Sequence, residues 1–183
     1  MTTKPKLILH IGTHKTAVYY EYSTGSLTFG VGSGQLITGD HTYNLGAKYA
    51  ADTYSVALGW ETDTFTDEDL ISLGGSATFG PATVKTRVSD SNLTGKDTTW
   101  AVSLDYAMGA TTLTAFYTDF GNSLFDNDFI GDDFLSTDTQ QLGLGAAYDL
   151  GGGATLAGGV AKQLNDDGVE DATFADVGLK FSF

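Results

Sequence analysis

Seven charged side chains of this chain fall on the polar parity of alternating segments, where an extended backbone would hold them on one side. Lys85 and Arg87 are two residues apart, so in a strand they point the same way. Charges fixed on one wet surface attract or repel dissolved ions, and they perform no covalent chemistry. The candidate residues on this polar parity are Lys48, Lys85, Arg87 and Lys180, with Glu21, Glu61 and Asp105 as acidic counterparts.

The other reactive residue types form no recognisable catalytic or metal-binding set. His10, His14 and His41 are scattered, and no Ser/His/Asp spacing supports nucleophilic catalysis, so we expect no enzyme. The segment 121–138 is rich in aspartate, and Asp126 and Asp128 are the candidate ligands if it binds calcium. Its spacing does not complete an EF-hand loop, so we expect a solvated acidic loop and no cofactor.

The first residues differ in pattern from the rest. The stretch "LILHIGTHKT" at 7–16 resembles the opening strand and phosphosulfate-binding loop of sulfotransferases, with Gly12, Lys15 and Thr16 at the matching positions. A β-pattern follows where that loop needs a helix, so we expect a non-functional junction. We therefore divide the chain into a segment 1–16 and a domain 17–183.

The elements that carry the charges are strands. Apolar and small or polar residues alternate strictly over 100–108, 142–150 and 175–183, which is typical of a strand with two unlike faces. Similar patterns predict strands at about 17–23, 26–32, 42–50, 54–61, 70–79, 82–89, 111–120 and 154–163. The sequence predicts an all-β chain of about eleven strands and no helix.

The connections alternate in length. Short turns are predicted near residues 24–25, 51–53, 80–81, 109–110 and 151–153, and longer polar loops at about 33–41, 62–69, 90–98, 121–138 and 164–171. Short turns at one end and long loops at the other indicate an up-and-down antiparallel meander. Membrane β-barrels are built in this way.

Composition narrows the function classes. A formal net charge of −14 argues against nucleic acid as a partner, because a nucleic-acid-binding surface is basic. No run approaches the roughly 20 apolar residues that a spanning helix needs. A barrel needs no such run, because only alternate residues face lipid.

The alternative to a membrane barrel is a soluble β-sandwich or a lipocalin-like barrel. Two features disfavour it. One parity is Ser, Thr, Gly, Asn, Asp and Lys throughout and cannot form a dry core. The other places its aromatic residues near its margins, like the girdles of membrane barrels. These residues are Tyr22, Tyr49, Tyr54, Phe79, Tyr106, Tyr148, Phe181 and Phe183 near the short turns, and Trp60 and Trp100 near the long loops.

From about Val18 to Phe183 the chain resembles the bacterial general diffusion porins of the trimeric, sixteen-stranded type. The resemblance rests on "LGLGAAYDLGGGATLAGGV", "DVGLKFSF", "VYYEYSTGSLTFGVGSG" and "YSVALGWE". It implies an outer-membrane location, lipid and small hydrophilic solutes as partners, and a homotrimer for the complete porin. It makes the seven charged residues pore-lining and Phe183 part of an assembly signal.

The resemblance also implies that the chain is the C-terminal part of such a porin, without the loop that narrows the pore. Residues 6–12 are expected to supply a twelfth strand by folding back on 17–23, or to stay loose, and closure of the barrel is left open. No signal peptide is recognisable, because His10 interrupts the apolar run.

Two rival functions remain at this point. One is a structural or adhesion barrel with a narrow or plugged lumen, which the small wall residues disfavour. The other is a sulfotransferase-like nucleotide binder, which depends on residues 7–16 alone.

Overall fold

The computed structural model describes residues 6–11, 16–35, 40–92, 97–121, 139–165 and 170–182, and for residues 6–11 and 16 the backbone alone. Every regular element within these ranges is a β-strand. None of them is a helix long and apolar enough to cross a membrane. The strands are β1 (Lys6–Ile11), β2 (Thr16–Thr24), β3 (Leu27–Gln35), β4 (Thr42–Ala50), β5 (Tyr54–Asp63), β6 (Glu68–Phe79), β7 (Ala82–Ser91), β8 (Thr99–Met108), β9 (Thr111–Asp119), β10 (Thr139–Gly151), β11 (Ala154–Asn165) and β12 (Ala172–Phe181).

The strand order of the sheet follows the sequence from β1 to β12 without a crossover. The chain divides into two compact units: Met1–Ser76 with Arg87–Thr94, and Ala77–Thr86 with Gly95–Phe183. In the first unit β1 to β5 pair antiparallel in sequence order, and in the second unit β8 to β12 do the same. The predicted antiparallel up-and-down meander is confirmed.

Two-residue turns fix the register of several hairpins. Gly25, Gly80 and Gly109 each open such a turn with a positive φ of 58°, 58° and 61°. Glycine adopts this backbone conformation without the steric cost of a Cβ, and Gly-X is a favoured two-residue hairpin turn. The strand pairs on either side are therefore held in one register, which decides which side chains face each other.

Residues 6–11 supply the twelfth strand. β1 runs antiparallel to β2, from Lys6 opposite Glu21 to Ile11 opposite Thr16. A strand, and not a helix, begins at Thr16. The boundary drawn at residue 16 stays a prediction, and Gly12 and Lys15 lie outside the described residues.

The predicted long loop at 62–69 is wrong. β5 continues to Asp63 and β6 begins at Glu68, so only four residues connect them. One carboxylate oxygen of Asp63 accepts hydrogen bonds from the backbone N–H of Phe65 and of Thr66, at 2.9 and 3.0 Å. This Asx-type turn closes the hairpin early. The last strand also lies earlier than predicted, at Ala172–Phe181 instead of 175–183.

No large apolar side chain among the described residues is buried, so these residues form no hydrophobic core. Leu45, Leu58 and Leu144 are 54%, 55% and 64% exposed. Monomeric soluble proteins seldom expose contiguous apolar surface on this scale. The soluble sandwich alternative requires these side chains to be packed inward, and the structure leaves them on an open face.

Candidate functional site

The polar face of the first unit has a row of glycines beside an acidic residue. Residues directly opposite each other on antiparallel strands share a face. Glu21 lies opposite Gly30, Gly30 opposite Gly46, and Gly46 opposite Gly59. The Tyr19 side chain leans over Gly30, and its hydroxyl donates to Glu21 Oε2 at 3.4 Å. At Gly46 and Gly59 an added Cβ would meet nothing closer than 3.7 Å, so these two positions leave space on the polar face.

Two more of the predicted wall charges lie in adjacent rows of this unit. Lys48 is opposite Thr28 and Ala57, and Glu61 is opposite Asn44. Neither charge forms an ion pair with another described residue. Both therefore have the strand parity that the sequence predicts, and their charges are not neutralised by a neighbour in the described part of the chain.

Arg87 is held by hydroxyl groups. In the first unit its Nε donates to Ser89 Oγ at 3.0 Å, and its Nη2 donates to Ser72 Oγ at 3.2 Å. Ser72 and Ser89 are themselves hydrogen-bonded at 2.8 Å. The guanidinium is thus oriented by neutral partners, and within the described ranges no carboxylate is paired with it.

Lys85 has a different environment, in the second unit. Its Nζ lies 2.6 Å from Asp105 Oδ2, and Thr114 Oγ1 donates to Asp105 Oδ1 at 2.6 Å. The Lys85 and Asp105 side chains are 56% and 23% exposed, so the pair lies at a wet surface. The structure brings together these two predicted site residues, from adjacent strands β7 and β8.

The remaining predicted residues are separate or outside the described ranges. Lys180 is on β12 and lies opposite Thr155 of β11, so it is not next to the Lys85–Asp105 pair on β7 and β8. Asp126, Asp128 and Phe183 lie outside the described residues. Within the described ranges, no group of three or more His, Cys, Asp or Glu residues is arranged to hold a metal ion.

In each unit the described residues place hydroxyls, glycines and single charges on one face and apolar side chains on the other. Such side chains can hold ions and polar solutes by hydrogen bonds and charge. A family model described as Gram-negative porin matches residues 8–168. The chain belongs to the Gram-negative porin family.

Two curated porins are similar in sequence. A porin of Rhodobacter capsulatus is 28% identical over 195 residues, covering 90% of this chain and 60% of its own. A porin of Fuscovulum blasticum is 27% identical over 144 residues, covering 77% of this chain and 44% of its own. This chain therefore spans about half of the length of the curated porins that it matches.

Solved porin structures share the fold. One porin, refined at 1.8 Å, matches 92% of this chain and 62% of its own with a TM-score of 0.70 and 27% identity. A mutant of the Rh. blastica porin matches 93% of this chain and 56% of its own with a TM-score of 0.68 and 22% identity. The fold class is thus that of a porin, with twelve strands among the described residues where the resemblance implies sixteen for a complete porin.

Sequence reasoning missed several cross-strand hydroxyl pairs on the polar faces of the two units. The pairs are Ser23–Thr28, Ser55–Ser76 and Thr78–Thr83, with oxygens 2.9 to 3.0 Å apart. Their strand parity was visible in the sequence, and the two-residue turns fix the first and third pairs, whereas Ser55 and Ser76 meet across a longer connection.

Two phenylalanines on the polar parity were also missed. Phe116 shares a face with Thr114, and Phe174 with Asp176, because each pair is two residues apart on one strand. An aromatic residue on the otherwise polar parity is the signal that would have identified them.

Proposed function

We propose that this chain forms the wall of a water-filled porin β-barrel, through which small hydrophilic solutes and ions diffuse passively across the outer membrane. The difference between its two faces is the single observation that carries the proposal. The apolar face has exposed leucine, valine and aromatic side chains that lipid would cover. The other face presents hydroxyls, glycines and charges to water.

The charged side chains on the polar face are proposed to line the pore. Lys48, Arg87, Lys180, Glu21 and Glu61 have no ion-pair partner within the described part of the chain, whereas Lys85 is paired with Asp105. Fixed wall charges of this kind bias which ions pass. The proposed function needs no cofactor and no covalent chemistry, and a homotrimer is proposed for the whole protein by resemblance to the trimeric porins.

Planar-bilayer recording of the refolded 183-residue chain tests the proposal. We expect stepwise increases in conductance as single molecules insert. Protein that is folded and inserted, as shown by protection from protease, but that gives no conductance steps would contradict diffusion and favour a structural or adhesion barrel.

A pair of adjacent substitutions distinguishes a wall effect from general damage. Gly46 belongs to the glycine row of the polar face, and a Cβ there meets nothing closer than 3.7 Å. Ala47, the next residue, faces the apolar side opposite Phe29 and Leu58. Gly46→Trp should lower the step conductance by filling the lumen, and Ala47→Trp should leave it unchanged.

A further inference from the structure

The second unit has a trough of about 660 Å³ on its polar face, between β9 and β12. Its floor consists of small residues brought together by the register of two strand pairs, β10 with β11 and β11 with β12. Gly145 lies opposite Gly159, Ala147 opposite Ala157, and Ala157 opposite Gly178. Without larger side chains, the floor leaves room for a small molecule above the backbone.

Two aromatic side chains stand beside this floor, on a face that is otherwise polar. Phe116 lies opposite Gly143, and its ring covers that glycine, where an added Cβ would contact the ring. Gly143 lies opposite Ala161, and Ala161 opposite Phe174, so both aromatic residues belong to one row. Phe174 is 52% exposed. Three strand spacings separate their Cα atoms, about 14 Å, which leaves a gap for a flat ring.

A negative and a positive side chain line the trough on β12. Asp176 and Lys180 share the polar face of β12 with Phe174, and Gly178 lies between them. Neither charge has a hydrogen bond or an ion pair among the described residues, although Lys85 and Lys162 in this unit are each paired with an aspartate. The trough therefore presents an aromatic group, an anion and a cation in order along one strand.

We propose that this trough is a solute subsite for a small zwitterion that carries an aromatic ring, a ligand of the aromatic amino-acid class. The ring lies against Phe174 and Phe116, the ammonium group pairs with Asp176, and the carboxylate pairs with Lys180. This subsite rests on the proposed diffusion function, because that function places the polar face in water.

The spacing along β12 suits such a ligand. Phe174 and Asp176 are two residues apart, about 7 Å, which is close to the separation of ring and amine in this class. Asp176 and Lys180 are about 13 Å apart, and the flexible four-carbon stem of lysine brings its ammonium group toward the trough. Charges of both signs beside an aromatic surface favour a zwitterion over a lipid chain, which would leave both charges unpaired.

Equilibrium dialysis of the refolded chain in detergent against labelled L-phenylalanine tests the subsite without an open channel. We expect saturable binding that L-alanine does not displace. Phe174→Ala should weaken this binding about 3- to 10-fold, since aromatic contacts contribute on that scale. Phe29→Ala, an exposed aromatic on the apolar face, is the matched control and should leave binding unchanged.

Two analogues assign the charges. Asp176→Asn should weaken binding of L-phenylalanine and phenethylamine but leave 3-phenylpropionate binding intact. Lys180→Gln should weaken L-phenylalanine and 3-phenylpropionate but leave phenethylamine intact. The same loss for all three ligands in both variants would overturn the assignment of the two charges.

Gly178→Leu tests the trough itself. An added Cβ at Gly178 meets nothing within 4 Å, so the larger side chain fills the trough and leaves its neighbours in place. We expect loss of binding with the folded state retained. Absence of saturable binding to the unaltered chain, or binding that survives both Gly178→Leu and Phe174→Ala, overturns the subsite. Conductance without binding overturns the subsite alone, and binding without conductance overturns diffusion alone.

Discussion

Leu104 and Asp105 are adjacent on β8, yet their surroundings differ completely. Leu104 lies opposite Ala115, is 42% exposed and belongs to a face without buried apolar contacts. Asp105 contacts Lys85 and Thr114 through short hydrogen bonds. Polar groups on one face bind each other through hydrogen bonds and ion pairs, whereas contacts between apolar side chains on the other face, such as Trp100 with Tyr117, leave none of the described ones buried. This difference supports the proposal that lipid covers the apolar face while water covers the polar face.

The strongest test of this comparison puts the same charge on each face. Leu104→Lys should lower the free energy of unfolding in phospholipid vesicles by about 2–4 kcal/mol, the cost of a lysine at the bilayer midplane. Ser103→Lys, one residue away on the polar face opposite Phe116, should cost far less because water reaches the ammonium group. Urea titration of both refolded variants measures the difference, and equal costs would show that the faces do not meet different solvents.

The polar face itself contains crowded and open positions. An alanine Cβ at Gly143 would collide with the Phe116 ring and lie 3.0 Å from the carbonyl oxygen of Val160. Gly143→Ala should therefore destabilise the fold by about 1–3 kcal/mol, as overpacking does. At Gly145 the nearest atom is 3.5 Å away, an ordinary contact. Gly145→Ala should be neutral or stabilise by up to about 1 kcal/mol, because alanine restricts the unfolded chain.

Urea unfolding of these two glycine variants gives the comparison directly. A larger loss at Gly145 than at Gly143 would contradict the position of the Phe116 ring.

Lys85 is paired with a carboxylate, whereas Arg87 is bound by neutral hydroxyl groups. Asp105→Asn removes the partner of Lys85 and should cost no more than about 1 kcal/mol, since exposed ion pairs contribute little. It should shift the reversal potential in a salt gradient toward anions. Arg87→Gln removes a charge held only by Ser72 and Ser89, and should shift the potential toward cations. Shifts in the same direction would show that these side chains do not act on the ion path through their charge.

The short turns determine which cross-strand partners could be predicted from the sequence. A two-residue turn at Gly109–Ala110 forces Asp105 opposite Thr114, and the turn at Gly25–Ser26 forces Ser23 opposite Thr28. The strand β4 was predicted with its observed bounds, 42–50, because alternation and turn residues agree there. The strand bounds, the face of each side chain and the partners across two-residue turns can therefore be predicted from local sequence.

Partners across long connections do not follow from local sequence. Lys85 and Asp105 meet across the connection between β7 and β8, whose length does not fix the register. The early closure at Asp63 depends on one carboxylate accepting two backbone N–H groups, which alternation cannot reveal. Polar parity was predicted for Arg87, and Ser89 lies two residues along the same strand, but its partner Ser72 required the observed pairing of strands.

The smallest expected effect concerns an ion pair between β11 and the residue just before β12. Lys162 Nζ lies 2.8 Å from an oxygen of Asp171, which precedes β12. The hydrogen bond from Lys162, and then that from the backbone N–H of Asn165, hold the pKa of Asp171 below its ordinary value. A lowered folded-state pKa makes the pair stabilising above the unfolded pKa, and this contribution is lost as the pH falls through the folded pKa.

Lys162→Met should therefore raise the pKa of Asp171 toward its ordinary value and remove part of the stability gained between strongly acidic and neutral pH. A carboxyl NMR titration of Asp171 measures the shift, and Lys85→Met, which removes the lysine bound to Asp105, should leave Asp171 unchanged. Both aspartates bind a lysine, but Asp171 is solvated and its pair also engages the backbone of Asn165. If the pKa of Asp171 stays unaltered in Lys162→Met, the backbone N–H of Asn165 is what lowers it, and the lysine does not.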